Sequence, residues 1–264
     1  MDTFYNNLRN LIIGKIYTSA DLAYYNQGDK FPKVIVMNIN ASIDSVLLPS
    51  MSGHQDNAER VKSMTRRAIK TSTYIMAPLM MGLLFCAEPI VKLLLTEKWL
   101  SCVPYLRIFC FTYMFWPIHT ANLNAIKAMG RSDLFLKLEI IKKAMGLTLL
   151  LLTMNISVMA MAYSLIVSSI LSQIINSWPN WKLLNYNYIE QLRDILPSIV
   201  IATGMGGCVY FVGCFPLPTI IILTIQIIAG AVIYIGASAL FKLEEYEYLF
   251  GMVNIILKKN ESSR

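Results

Sequence analysis

The stretch Ile195–Phe241 reads ILPSIVIATGMGGCVYFVGCFPLPTIIILTIQIIAGAVIYIGASALF and contains no charged residue. Its 47 residues are more than twice the about 20 that an α-helix needs to cross a bilayer. Pro216 and Pro218 interrupt it, because proline lacks the amide hydrogen and clashes with the preceding helical turn. We therefore predict two membrane-spanning helices here, at 195–214 and 218–241.

The composition extends this prediction to the whole chain. Of the 264 residues, 56% are hydrophobic and 15% are charged, against about 45–50% and about 25% in ordinary globular proteins. These values exclude a water-soluble enzyme, a disordered chain and a secreted disulfide scaffold. Three further runs also lack charge: Thr71–Ala87, Ile108–Ile126 and Ala144–Trp181. The chain is therefore predicted to be a polytopic membrane protein.

The predicted fold is all-α, a polytopic membrane helical bundle of about eight transmembrane segments. Residues 1–180 are expected to hold six of them: 5–23 (only partly apolar), 32–51, 71–95, 105–127, 136–154 and 157–178. Residues 181–241 add the two described above, and 242–264 are expected to form a cytoplasmic amphipathic tail. Short external loops are expected at 22–31 and 96–104.

The charge distribution predicts the orientation in the membrane. The net charge is +7, and basic residues collect in cytoplasmic loops of membrane proteins. One set of predicted loops and tails holds 17 lysines and arginines, including those of 60–70 and 127–143, whereas the alternate set holds five. Both termini are therefore expected in the cytoplasm. The protein itself is expected to be a multi-pass protein of a bacterial inner membrane. The excess charge is assigned to these loops, so no nucleic-acid partner is expected.

Signatures of catalysis are scarce. The two histidines, His54 and His119, cannot build a His-rich metal site, and no nucleophile elbow or phosphate-binding loop occurs. We therefore predict that the protein is not an enzyme and uses no metal or cofactor.

Polar residues within the apolar segments are the candidate functional residues, since such residues are costly at membrane depth. Asn40 and Asp44 are four residues apart, so on a helix they share one face, with Lys33 about three turns from Asp44. This pattern is typical of a polar cavity wall. The alternative is that Asp44 lies near the cytoplasmic end of its helix and reaches water at the headgroups.

A second candidate lies in the predicted 105–127 segment. Pro117 is expected to kink this helix, and His119 and Asn122 can line one face. A histidine here could bind a phosphate or relay a proton, or it could be neutral and bonded to a neighbouring helix. Glu88 and Lys92 have the spacing of a helical ion pair near the outer surface.

Three strings resemble the C-terminal half of Wzx-type polysaccharide flippases. They are Ile12–Gly28 (IIGKIYTSADLAYYNQG), Asn40–Ser50 (NASIDSVLLPS) and the run from Leu95-Thr96-Glu97-Lys98-Trp99 to Arg131-Ser132-Asp133. The last is similar to the lipopolysaccharide and colanic-acid exporter branch. The resemblance implies the C-terminal lobe of a MATE-like exporter of the multidrug/oligosaccharidyl-lipid/polysaccharide superfamily. Such exporters have two helical lobes around a cavity and move undecaprenyl-diphosphate-linked oligosaccharide to the outer leaflet.

Members of this family are about twice as long, so the chain resembles the second lobe alone, and a missing N-terminal lobe is its expected partner. The resulting hypothesis is a truncated or half transporter. Lys15, Lys33 and Arg107 would attract the phosphates, and Asn40, His119 and Asn122 would contact the sugars. Asp44 or Glu88 would couple transport to a cation.

Two alternatives stay open at this point. A multidrug or cation antiporter of the same superfamily would rely on acidic groups, for which Asp44 and Glu88 are the candidates. A membrane scaffold would hold biosynthetic enzymes without transporting anything.

Overall fold

The computed structural model describes residues 2–216 and 218–251, with side chains from residue 7 onward. These residues are almost entirely helical, which confirms the predicted all-α bundle. The α-helices are α1 (Asp2–Ile16), α2 (Ser19–Ser52), α3 (Ala58–Phe85), α4 (Ala87–Leu95), α5 (Val103–Met114), α6 (Trp116–Ala128), α7 (Ser132–Thr153), α8 (Val158–Leu184), α9 (Tyr188–Gly213) and α10 (Thr219–Leu240). A short 3-10 helix, Glu97–Cys102, joins α4 to α5.

Five of these helices are long and apolar enough to cross a membrane: α2, α3, α8, α9 and α10. The chain is therefore a multi-pass membrane protein. Helices α5 and α6 have 12 and 13 residues, so each alone is too short for about 30 Å of hydrocarbon. They follow one another with a break at Phe115, next to Pro117, where the sequence predicted a kink.

A helix break at residues 17 and 18 divides the predicted segment 5–23, and the predicted segment 32–51 lies within α2. The Thr18 hydroxyl accepts a hydrogen bond from the Asp21 amide at 3.1 Å, and the Asp21 carboxylate accepts one from the Thr18 amide at 3.2 Å. This capping box ends the first segment after Ile16 and starts α2 at Ser19. The expected external loop at 22–31 lies inside α2, whose 34 residues span about 50 Å.

The third segment also begins earlier than predicted. The Asn57 side chain accepts a hydrogen bond from the Arg60 amide at 2.9 Å and caps α3 at Ala58. The basic residues of 60–70, expected in a loop, therefore lie on the first turns of α3. Lys142 and Lys143, also assigned to a loop, lie within α7.

The remaining predicted segments, 71–95, 105–127, 136–154, 157–178, 195–214 and 218–241, correspond to α3 with α4, α5 with α6, and then α7, α8, α9 and α10. The expected loop at 96–104 is mostly the 3-10 helix. Of the predicted tail, residues 244–251 are helical, and 252–264 lie outside the described residues.

Close packing holds α2 against α5. A Cβ added at Gly28 would lie 2.7 Å from the Tyr105 Cβ and 2.8 Å from the Leu106 amide nitrogen. Only glycine therefore permits the two backbones to approach this closely, as small residues do in membrane helix interfaces.

The helices alternate in direction, so their connections collect at two ends. At the end that we call the basic end, Lys62 contacts Glu190, Arg66 contacts Asp194, and Lys70 contacts Glu244 and Glu245. At the opposite end, the Tyr17 hydroxyl donates to the Met154 carbonyl at 3.0 Å. The two ends are thus chemically different, and the described ion pairs between helices distant in sequence lie at the basic end.

Candidate functional site

Two polar pairs join α2 to α6. The Thr120 hydroxyl donates to the Asn40 side-chain oxygen at 3.1 Å, and the Asn124 amide donates to the Asp44 carboxylate at 2.7 Å. Each helix supplies residues four apart, which places both pairs on one line along parallel helices. The structure therefore puts Asn40 and Asp44 together, as their spacing predicted.

Several polar residues of α2 are exposed. Lys33, Asn38, Ser42, Asp44 and Ser45 are all exposed on the bundle surface and are spread over about half of the circumference of α2. We call these five residues the polar face of α2. Asp44 lies eight residues before Ser52, where α2 ends, a rise of roughly 12 Å. Asp44 therefore lies about two turns before the end of α2 and is not confined to its last turn.

Lys33 forms an ion pair within this helix. Its ammonium lies 3.5 Å from the Asp29 carboxylate, which also accepts a hydrogen bond from the Tyr113 hydroxyl of α5 at 2.6 Å. More than half of the Lys33 side-chain surface is exposed, so its charge is available to a ligand. Lys15, by contrast, is exposed in the last turn of α1.

His119 faces α8. Its Nδ1 lies 2.9 Å from the side-chain nitrogen of Asn176. This arrangement is the alternative considered above, in which the histidine bonds to a neighbouring helix.

Asn122 belongs to a buried amide network, which we define as Asn122, Ser177, Asn180 and Gln191. The Asn122 amide donates to the Gln191 side-chain oxygen at 2.7 Å, and its own side-chain oxygen accepts from Asn180 at 2.6 Å and from Gln191 at 3.1 Å. Asn122 is fully buried. The network therefore ties α6 to α8 and α9, and these bonds already occupy the side chain predicted to contact sugar.

Arg107 and Glu88 lie elsewhere. Both line a cleft between α4, α5, α9 and α10 at the opposite end from the basic end. Glu88 pairs with Lys92 at 3.0 Å, as their spacing predicted. The eight candidate residues thus lie in four places. Lys33, Asn40 and Asp44 lie on α2, His119 and Asn122 contact α8, Arg107 and Glu88 line the cleft, and Lys15 lies at the end of α1.

Sequence reasoning missed several polar partners: Thr120, Asn124, Asn176, Ser177, Asn180, Gln191 and Gln226. A signal was present, because Asn176 and Ser177 interrupt the apolar run of α8, and Gln226 carries the only side-chain amide in Ile195–Phe241. The cost of polar groups at membrane depth applies to them as it does to Asn40.

The chain is similar to known proteins of polysaccharide biosynthesis. A family model described as polysaccharide biosynthesis protein matches residues 1–104. The teichuronic acid biosynthesis protein TuaB of Bacillus subtilis (strain 168) is 21% identical over 234 residues, covering 87% of this chain and 48% of that protein. The lipopolysaccharide biosynthesis protein WzxC of Escherichia coli (strain K12) is 23% identical, covering 76% of this chain and 42% of that protein.

The fold has a solved counterpart. The lipid II flippase MurJ, in an inward closed conformation, superposes with a TM-score of 0.76 at 17% identity, covering 94% of this chain and 52% of that chain. At this identity the match establishes the fold. The chain spans about half the length of the curated relatives it matches.

Proposed function

Because the chain is a relative of the membrane proteins of polysaccharide biosynthesis, we propose that it takes part in flipping undecaprenyl-diphosphate-linked oligosaccharide across a bacterial inner membrane. The observation that carries this proposal is the polar face of α2. A lysine or aspartate at the centre of a membrane helix costs about 2.5–3.5 kcal/mol on insertion scales. Such a face is more stable against a water-filled cavity or another protein surface than against lipid.

The comparisons cover about half of each relative, which supports the role of one lobe of a transporter. Alternating access requires one helical bundle to move against another around a shared site. We propose that this chain forms the C-terminal lobe and that an N-terminal lobe covers the polar face of α2. The cavity between the lobes would then hold the sugar diphosphate.

Within that cavity, the exposed groups have the chemistry that the substrate requires. Lys33 offers a cation to the diphosphate, and Asn38, Ser42 and Asn40 offer hydrogen bonds to sugar hydroxyls. Asp44 is the acidic group placed to couple transport to a cation. His119 and Asn122 would act by holding α6 against α8 and α9. Arg107 and Glu88 would act in the separate cleft that they line.

The orientation is part of the same proposal. Arg60, Lys62, Arg66, Arg67 and Lys70 lie on the first turns of α3, at the basic end. The positive-inside rule assigns such an end to the cytoplasm. Both termini are then cytoplasmic.

Complementation tests the proposal. The chain is expressed with a six-span N-terminal lobe in a bacterial strain that lacks its own polysaccharide exporter, and surface polysaccharide is quantified. We expect export from the pair and none from either half alone. Lys33→Gln should lower export several-fold, whereas Lys98→Gln, an exposed lysine outside the polar face, should leave it unchanged.

Two outcomes would contradict the proposal. If both halves insert stably but never restore export, the scaffold hypothesis becomes the better one. If export is restored and Lys33→Gln matches the wild type, the polar face does not bind the phosphates.

A further inference from the structure

The cleft that contains Arg107 has an unusual combination of charges. It has a volume of about 330 Å³, and its polar lining includes Glu88, Lys92, Arg107, Tyr210 and Gln226. Two pairs of helices from distant parts of the chain, α4 with α5 and α9 with α10, build it. It is separate from the polar face of α2, so the proposed transport site leaves it without a role.

Arg107 supplies an uncompensated cation. It is half-buried, and it makes no hydrogen bond or ion pair with any part of the chain that the structure describes. Lys92 adds a second positive charge and forms an ion pair with Glu88. The planar guanidinium of an arginine can donate two parallel hydrogen bonds to the oxygens of a phosphate group.

The side chain of Gln226 supplies a hydrogen-bond acceptor that requires a donor. It is 2% exposed at the base of the cleft, and its nitrogen donates to the Val209 carbonyl at 2.9 Å. Its side-chain oxygen has no partner among the described residues. A buried acceptor left unpaired costs about 1–3 kcal/mol, so a donor brought by a ligand or by water would be favourable.

The surroundings favour a lipid over a soluble solute. Gln226 lies seven residues, roughly 10 Å, below the start of α10 at Thr219, which is the depth of a headgroup region. Ile220, Ile221 and Ile225 are exposed on the same helix. An acyl chain could lie along these residues while the headgroup enters the cleft.

From this arrangement we propose that the cleft binds the headgroup of an ammonium-bearing phospholipid. The phosphate lies against Arg107 and Lys92, and the ammonium donates to Glu88 and toward Gln226. Binding of this kind would fix the α9–α10 pair against α4 and α5. The proposal requires only that the helices sit in a membrane, so it can succeed or fail independently of transport.

Lipid retention tests this site. The full chain is purified in detergent, stripped of lipid, and titrated separately with phosphatidylethanolamine and phosphatidylglycerol, and bound lipid is counted by native mass spectrometry. We expect phosphatidylethanolamine to bind more tightly. Arg107→Gln should weaken its binding by about tenfold or more, since charge-assisted bonds to phosphate are lost.

Three controls keep the result specific. Arg107→Lys should retain part of the binding and shows that the fold survives a change at this position. Lys98→Gln removes a positive charge at the same end outside the cleft and should have no effect. Soluble phosphoethanolamine should compete weakly, because it lacks the acyl chains.

Several results would overturn the assignment. Wild-type affinity in Arg107→Gln would show that the guanidinium does not hold the phosphate. Equal binding of phosphatidylglycerol, or no effect of Glu88→Gln on phosphatidylethanolamine, would remove the ammonium from the proposal. Binding of soluble phosphoethanolamine as tight as that of the lipid would indicate a free solute.

Discussion

At the scale of single residues, the interior of this bundle is held by amides as well as by apolar contacts. Asn122 and Gln191 exchange hydrogen bonds in both directions, and Asn180 adds a third. In a membrane, a polar side chain that loses its partner cannot turn to bulk water. The network therefore fixes how α6 meets α8 and α9.

Removing Asn122 should destabilise the protein. We expect Asn122→Ala to lower the free energy of unfolding by about 1–2 kcal/mol, the upper range for interhelical hydrogen bonds in membranes. The measurement is unfolding in mixed detergent micelles. Thr148→Ala is the matched control, because that hydroxyl bonds only to the Ala144 carbonyl of its own helix. Equal loss in both variants would contradict an interhelical role.

The sequence predicted the candidate residues better than their partners. The spacing of Asn40 and Asp44 correctly placed them on one stripe, because a helix enforces that geometry. It could not reveal that Thr120 and Asn124 oppose them, since pairing between distant segments depends on tertiary packing. The same limit explains why the sequence groups Arg107 with Lys33, although the fold places Arg107 in a cleft and Lys33 on the exposed surface of α2.

At the scale of helices, two breaks decide the shape. The break after Ile16 depends on the reciprocal bonds between Thr18 and Asp21, a signal that overall hydropathy does not register. The break at Phe115 was predicted from Pro117. Pro32 and Pro49, in contrast, lie inside the continuous α2.

The contact between α2 and α5 should tolerate no side chain at residue 28. Gly28→Ala should lower the free energy of unfolding by about 1–3 kcal/mol, because the new methyl group overlaps α5. Gly82→Ala is the control, since a Cβ there meets nothing within 4 Å and alanine favours helix by about 0.5–1 kcal/mol. Thermal denaturation in detergent measures both. A Gly28→Ala protein as stable as Gly82→Ala would contradict the close approach.

The segment 244–251 should depend on Lys70. The ammonium of Lys70 lies 2.6 Å from Glu244 and 2.9 Å from Glu245, and Glu245 is buried. Lys70→Gln leaves that carboxylate without its cation, so the segment should open and be cleaved faster by protease. Lys242→Gln, at an exposed position beside the segment, should not change cleavage. Equal protection in both variants would show that the ion pairs do not hold the segment.

The same contact predicts a pH dependence. The hydrogen bond with Lys70 holds the pKa of Glu244 below its usual value of 4.5. The stabilisation is therefore present above that value and is lost as the pH falls through the lowered pKa. The melting temperatures of the wild type and Glu244→Gln should differ at neutral pH and converge in acid. A difference that persists in acid would assign the effect to something other than ionisation.

At the scale of the whole molecule, the chain is a membrane bundle whose helix α2 exposes polar side chains on the surface. Composition alone predicted the bundle, because no soluble core requires 47 uncharged residues in sequence. It could not show which surface faces a partner, since that depends on how the helices pack. The exposed polar face of α2, which carries Lys33 and Asp44, is the surface against which we propose that the second lobe lies.

Reconstitution tests the proposed function most directly. Proteoliposomes are prepared with the chain, with an N-terminal lobe, or with both, and they carry a fluorescent undecaprenyl-diphosphate-linked sugar. A membrane-impermeant quencher then reports how fast the headgroup crosses. We predict crossing well above protein-free liposomes only when both lobes are present, and slower crossing with Lys33→Gln. Crossing no faster than in protein-free liposomes, with both lobes fully inserted, would contradict a role in lipid-linked oligosaccharide export.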